Sequence, residues 1–223
     1  MGFVRRNSLT LCFLLLMAGA LVGQALAGLA DYNERQTAEG ASAASLGEYV
    51  TSAAYAVDVA ENWQSEYLQF FLFIFLTVWL VQHGSPESKE PHKAGTESDE
   101  DQQVGRYAGE DSPEWARAGG LRGMLFSRSL GLVMGAFFLL SWGAQSVAGW
   151  AAYNSDRFAQ YEDAVSWGGY LAAPDFWSRT FQNWQSEFLA VASMVALSIY
   201  LRQRGSPESK PVGAPHGATG VEG

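Results

Sequence analysis

The chain has 223 residues, 48% of them hydrophobic, a formal net charge of −9 and a single cysteine. One cysteine excludes a disulfide-stapled scaffold, and an acidic chain without a basic, aromatic patch argues against nucleic-acid binding. The apolar residues are bunched into four blocks, 8–28, 67–82, 129–150 and 188–201, none of which contains Asp, Glu, Lys or Arg.

The first block follows Arg5 and Arg6 and reads as a membrane span, since about 20 mainly apolar helical residues cross the hydrocarbon core. Arg5, Arg6 and Ala25-Leu26-Ala27 also fit a cleavable signal peptide. The matching internal block 129–150 favours a retained span. Cys12 lies inside the first block and reads as packing. Gly19, Gly23 and Ala27 form a small face suited to helix contact in lipid. Further on, Tyr55, Val59 and Trp63 at helical spacing predict an amphipathic helix in the outer interface. Asn62-Trp63-Gln64-Ser65-Glu66 then predicts the junction with the second span. Asn62 serves as a cap, Trp63 anchors the boundary, and Glu66 sits in a first turn where the helix dipole favours a carboxylate. Block 67–82 reaches a span's length only if the helix continues through 63–66. Gly84-Ser85-Pro86-Glu87-Ser88-Lys89 ends it, with Gly84 at the C-cap and Pro86 stopping the helix.

Residues 90–120, with the acidic run Glu97-Ser98-Asp99-Glu100-Asp101, read as a flexible cytoplasmic linker. The third block carries Gly131, Gly135 and Gly143. Before the fourth, Phe176, Trp177, Thr180, Phe181 and Trp184 share one helical face, and Pro174 suits a first helical position. Asn183-Trp184-Gln185-Ser186-Glu187 repeats the earlier five residues letter for letter, and Gly205-Ser206-Pro207-Glu208-Ser209-Lys210 repeats the earlier stop. The chain thus divides into a first membrane hairpin unit (1–89), the linker (90–120), a second hairpin unit (121–210) and a disordered cytoplasmic tail (211–223).

A shift of 121 residues aligns the two units without a gap, and 29 of the 83 pairs from residue 8 onward are identical. That is the signature of an internal duplication. Two spans per unit make the repeats parallel, related by a pseudo-twofold along the membrane normal. Lys and Arg concentrate at 5–6, 89–128 and 202–210, which places both termini and the middle loop in the cytoplasm of a plasma (inner) membrane. The expected fold is an all-α membrane protein: four transmembrane helices as two parallel-repeat hairpins, each with an outer interfacial amphipathic helix and an aromatic outer belt.

The order of Gln-Ala-Leu-Ala-Gly, Asp-Tyr-Asn, Gly-Glu-Tyr, Asn-Trp-Gln-Ser-Glu and Gly-Ser-Pro-Glu-Ser-Lys resembles a family of small bacterial membrane proteins catalogued only as a domain of unknown function, here in tandem. The resemblance covers both units and implies neither an activity nor a ligand. In the second unit Gly169 stands for Glu48 and Ala152 for Asp31, which argues against a shared role for those two acids.

The candidate functional or interface residues are therefore Trp63, Gln64, Glu66, Trp184, Gln185 and Glu187, with Gln24 and Gln145 as polar membrane positions. Boundary anchoring explains them structurally. A sharper reading brings Glu66 and Glu187 together near the pseudo-twofold axis, where ionisable groups at membrane depth are functional suspects. Two facing carboxylates raise one another's proton affinity and suit cation binding or proton relay. No P-loop, dinucleotide turn, Cys-x-x-Cys or His-Glu-x-x-His occurs, and His83, His92 and His216 have no histidine counterparts under the shift. No catalytic residue, metal or cofactor is expected. The expected function is a non-enzymatic membrane scaffold or binding module partnered by the lipid bilayer and by a homo-oligomer or another membrane protein. The alternatives are a small transporter or channel component using Glu66 and Glu187, and an interfacial envelope enzyme.

Overall fold

Apolar runs without a charge or a proline favour long helices, and the chain forms two of 31 residues each. The computed structural model describes residues 2–221. In chain order its helices are α1 (Phe3–Arg6), α2 (Ser8–Ala38), α3 (Leu46–Val50), α4 (Ala53–Leu76), α5 (Glu114–Arg117), α6 (Gly120–Ser127), α7 (Ser129–Ala159), α8 (Trp167–Leu171) and α9 (Pro174–Leu197). Single 3-10 turns occur at Pro91–Lys93 and Gly105–Tyr107, and the described residues contain no strand. Helices α2 and α7, α3 and α8, and α4 and α9 are each offset by 121 residues at both ends.

Two helices, α2 and α7, are long and apolar enough to cross a membrane. The expectation of four such helices is not met by length and composition. Helix α4 stops at Leu76, where the β-branched pair Thr77-Val78 follows and the Thr77 hydroxyl donates back to the Phe73 carbonyl (2.6 Å). Its charge-free part, 67–76, rises only about 15 Å, half of the hydrocarbon core. Helix α9 stops at the equivalent Leu197. Three further expectations change with these bounds. The amphipathic segment and the short apolar segment form one continuous helix in each half. Asn62 and Asn183 lie inside α4 and α9 and cap nothing; Asn183 instead donates to the Arg179 carbonyl one turn back (2.9 Å). Gly84 and Gly205 sit eight residues past the helix ends, in turns that need their φ of 87° and 80°.

Burial is inverted relative to a water-soluble domain. Among the described residues seven hydrophobic side chains are buried against twelve polar or charged ones, while Leu9, Phe13, Leu15, Leu139, Leu140 and Leu189 stay more than half exposed. Apolar surface of that extent marks contact with lipid or protein.

The chain divides into two compact units, Met1–Glu61 with Gly143–Trp177, and Asn62–Trp142 with Ser178–Gly223. In the first, two glycine notches organise the packing. The Tyr49 ring lies against Gly28 and the Tyr170 ring against Gly149, so closely that a methyl at either glycine would overlap the hydroxyl and stand 3.0 Å from the ring carbon that bears it. Each tyrosine is held between two further rings: Tyr49 by Tyr32 and Tyr55 (both 5.4 Å), Tyr170 by Tyr153 (5.3 Å) and Phe176 (5.6 Å). The loops after α2 and α7 return by matching amide clamps. Asn33 bonds both backbone groups of Ala44 (2.7 and 3.0 Å), and Asn154 bonds those of Val165 (2.9 and 3.0 Å). Ser45 caps α3 in a full capping box with Glu48, and these bonds hold the Glu48 carboxyl below its ordinary range. Ser166 caps α8 alone, since Gly169 has no side chain to return the bond. Glu48 and Asp31 thus have local partners, Asp31 pairing with Arg35 at 2.7 Å.

Candidate functional site

In the second unit α4, α7 and α9 meet around the repeated pentapeptide. A glycine at 135 lets α7 approach the Phe71 ring of α4, and Phe137 packs on Tyr67 with ring centroids 4.9 Å apart. Trp184 of α9 lies near Phe138 (6.5 Å) and Trp142 (6.0 Å) of α7. From there its indole N–H donates to the Gln64 Oε1 of α4 at 2.9 Å. Gln64 is fully buried, and its amide nitrogen has no hydrogen-bond partner among the described residues. The neighbouring Ser65, 1% exposed, shares its hydroxyl between the Asn62 carbonyl (2.9 Å) and Glu187 Oε1 (3.4 Å).

Gln64, Trp184 and Glu187 therefore belong to one cluster, and Ser65, which sequence reasoning passed over, joins it. Trp63, Glu66 and Gln185 are exposed. The two copies of the pentapeptide thus sit in unequal surroundings: Gln64 faces inward while its counterpart Gln185 faces outward. Gln145 is fully buried and Gln24 half-buried, and both lie in the first unit. An interhelical bond such as Trp184–Gln64 contributes about 1 kcal/mol in an apolar setting. The chemistry of the cluster is acceptor-rich on the carboxylate side and donor-rich at Gln64, which suits binding and orientation of a small polar group.

The two stop motifs form a second polar region. Ser88 and Ser209 each accept from a backbone N–H six residues back, Gln82 (2.8 Å) and Gln203 (2.9 Å), and close equivalent turns. Glu87 and Glu208 hold equivalent places in the two motifs. Burial first, then the charge of Glu208, push the Glu87 carboxyl above its ordinary value. Raised carboxyl affinity means the folded chain holds a proton that the unfolded chain releases. Stability from this contact is complete below the ordinary carboxylate range and is lost as pH rises through the elevated value. Glu87→Gln is therefore expected to raise the unfolding midpoint at neutral pH and to flatten its dependence on pH from acid to neutral. Thermal unfolding in detergent at several pH values checks this; an unchanged pH slope contradicts it.

Lys210 is 1% exposed, and its ammonium donates to four carbonyls: Gly84 (2.6 Å), His216 (2.8 Å), Ala218 (3.2 Å) and Pro215 (3.3 Å). Thr219 Oγ1 accepts from the Gly84 N–H at 2.8 Å, and the Gly220 N–H donates to the Ser85 carbonyl at 3.0 Å. The last residues thus strap the first stop turn. Its counterpart Lys89 is partly exposed and pairs with Glu97. Burial, then the like charge of Arg202, lower the Lys210 ammonium below the ordinary lysine value.

A family model described as a domain of unknown function (DUF6766) matches residues 1–221. The match takes in both halves and the segment between them, so the family domain is the whole chain and not each half. No curated protein and no solved structure matches the chain.

Proposed function

Since the chain belongs to the DUF6766 family, whose description supplies no activity, we propose from its geometry that it is a polytopic membrane protein built by internal duplication and acting as a non-enzymatic scaffold or binding module. The inverted burial carries this reading: polar side chains such as Gln64, Ser65, Gln145 and Thr180 are enclosed while large apolar ones face outward. On this reading helices α4 and α9 cross as well as α2 and α7, as two parallel hairpins. The common offset of 121 residues in helix bounds, the paired glycine notches and the paired amide clamps support the duplication. The distribution of Lys and Arg favours cytoplasmic termini.

The approach of Ser65 to Glu187, with Glu66 next to Ser65 in the chain, favours one second reading, a transporter or channel component that uses the acid pair. Purified chain in proteoliposomes separates the two. A scaffold carries no ion or solute flux, and Glu66→Gln with Glu187→Gln changes only stability or the recovery of membrane partners. Flux that disappears with the double change would establish the transporter reading and remove the scaffold.

A further inference from the structure

We infer that the cleft beside the C-terminal half of α9 binds one phospholipid of the cytoplasmic leaflet, whose headgroup carries a phosphate and a primary ammonium. The inference rests on the membrane reading proposed above. The cleft has a volume of about 440 Å³, within the usual range for small-molecule sites. All of its walls come from residues 190–209, one stretch of a single unit, so its shape is set locally. Along that stretch the lining passes from apolar, at Met194, Leu197 and Leu201, to polar, at Arg202, Ser206 and Glu208.

The polar part holds opposite charges that do not cancel. Arg202 Nη1 donates to the Ser198 (3.3 Å), Ile199 (3.0 Å) and Leu201 (2.8 Å) carbonyls, and Nη2 to that of Ala214 (3.0 Å). These carbonyls pin the guanidinium without neutralising it. Among the described residues it forms no ion pair, with Glu208 or any other carboxylate. An apolar helix seated on the cleft would enclose both charges without partners, which is costly. A dipolar headgroup satisfies both, its phosphate toward Arg202 and its ammonium toward Glu208. The Ser206 oxygen accepts from the Glu208 N–H at 3.2 Å, which leaves its proton to donate to the phosphate. An acyl chain then follows the apolar wall, which a small soluble zwitterion would leave in water.

The other copy of the segment supports the assignment. At positions 121 residues earlier, Gln82, Ser85, Glu87 and Ser88 match Gln203, Ser206, Glu208 and Ser209, but Leu72, Phe73 and Val81 stand for Ser193, Met194 and Arg202. The second copy thus has two smaller wall side chains and a cation in the same cleft. A basic residue near the end of a crossing helix is common as an anchor. Arg204, exposed two residues on, fills that part, whereas Arg202 is pinned against the cleft.

The test titrates full-length chain, purified in mild detergent and depleted of lipid, with phosphatidylethanolamine, phosphatidylcholine and phosphatidylglycerol of matched acyl chains, and counts bound lipid by native mass spectrometry. One phosphatidylethanolamine is expected to bind about tenfold more tightly than either of the others, because trimethylation removes the donors to Glu208 and a glycerol headgroup carries no cation. Arg202→Val and Ser193→Leu, each installing the first copy's residue, should cut that affinity about tenfold, by loss of the charge and by filling the cleft. Ser193→Leu leaves the Arg202 bonds in place and keeps the test decisive if Arg202→Val fails to fold. Glu208→Gln should erase the preference for ethanolamine over choline, and Arg204→Gln should change nothing. Equal affinity for the three lipids overturns the proposal, as does an Arg204→Gln loss equal to that of Arg202→Val. Unchanged binding in Ser193→Leu overturns it too, and leaves the cleft to the chain's own helices. Alkaline extraction of cell membranes keeps the two claims apart: chain that resists extraction yet shows no headgroup preference defeats the site alone, and chain that is extracted defeats the membrane reading.

Discussion

Replacing Gly149 with alanine will lower the unfolding free energy of the chain in detergent by about 2 kcal/mol. Two effects oppose each other. Alanine in a helix interior gains up to about 1 kcal/mol over glycine, while forcing an extra carbon into a filled site costs about 1–3 kcal/mol. The second wins here because the atom in the way cannot retreat. Tyr170 is fully buried, wedged between Tyr153 and Phe176, and its hydroxyl is tied to Asp175 at 3.2 Å. Tyr170→Phe removes the overlapping oxygen, so Gly149→Ala should cost less on that background than on the parent chain, a coupling that a double-mutant cycle reads directly. Gly143→Ala serves as the control. That glycine lies in the same helix with nothing within 4 Å of an added methyl, and the change is expected to be neutral or slightly stabilising. Equal effects at 143 and 149 would contradict the notch.

Lys210→Met is expected to destabilise by about 3 kcal/mol, since hydrogen bonds from a charged donor are worth about 1.5–3 kcal/mol each and buried carbonyls would be left without a partner. Lys89→Met, at the same place in the other copy of the motif, should cost less than about 1 kcal/mol, because its ion pair with Glu97 is 39% and 24% exposed and screened by solvent. Hydrogen exchange gives the local reading: the Gly84 and Gly220 amides, bonded to Thr219 and Ser85, should lose protection in Lys210→Met and keep it in Lys89→Met. Equal behaviour of the two variants would remove the strap from the account.

What the sequence discloses and what it hides follow one physical division. Features set by neighbours along the chain were legible. The two long charge-free blocks became α2 and α7, Pro174 opened α9 where its missing N–H costs nothing, and identical letters 121 apart coincided with equal helix bounds. The ends of α4 and α9 fall short of the apolar blocks that contain them. Residues 77–82 carry no charge, yet the helix ends at Leu76 before them. Contacts between residues far apart were hidden altogether. Lys210 reaches the Gly84 carbonyl across 126 positions, and nothing in the local pattern Pro-Glu-Ser-Lys separates it from Lys89. The glycine notches left a signal that composition alone could not interpret: Gly28 with Tyr49 and Gly149 with Tyr170 recur at one spacing, but a repeated glycine acquires meaning only when the ring that needs its missing Cβ is known. The pentapeptide fell between these cases. Its repetition marked the region, while the inward turn of Gln64 and the outward turn of Gln185 came from packing that treats the two copies differently.

The central claim is that α2, α4, α7 and α9 all cross the membrane, and topology tests it most directly. Single cysteines at Ala38, Thr96, Ala159 and Val212 on a Cys12→Ser background would be labelled in intact cells with an impermeant maleimide. Four crossings with cytoplasmic termini predict labelling at Ala38 and Ala159 and protection at Thr96 and Val212. Labelling at Ala38 and Thr96 with protection at Ala159 would mean that only α2 and α7 cross, and would contradict the paired hairpins.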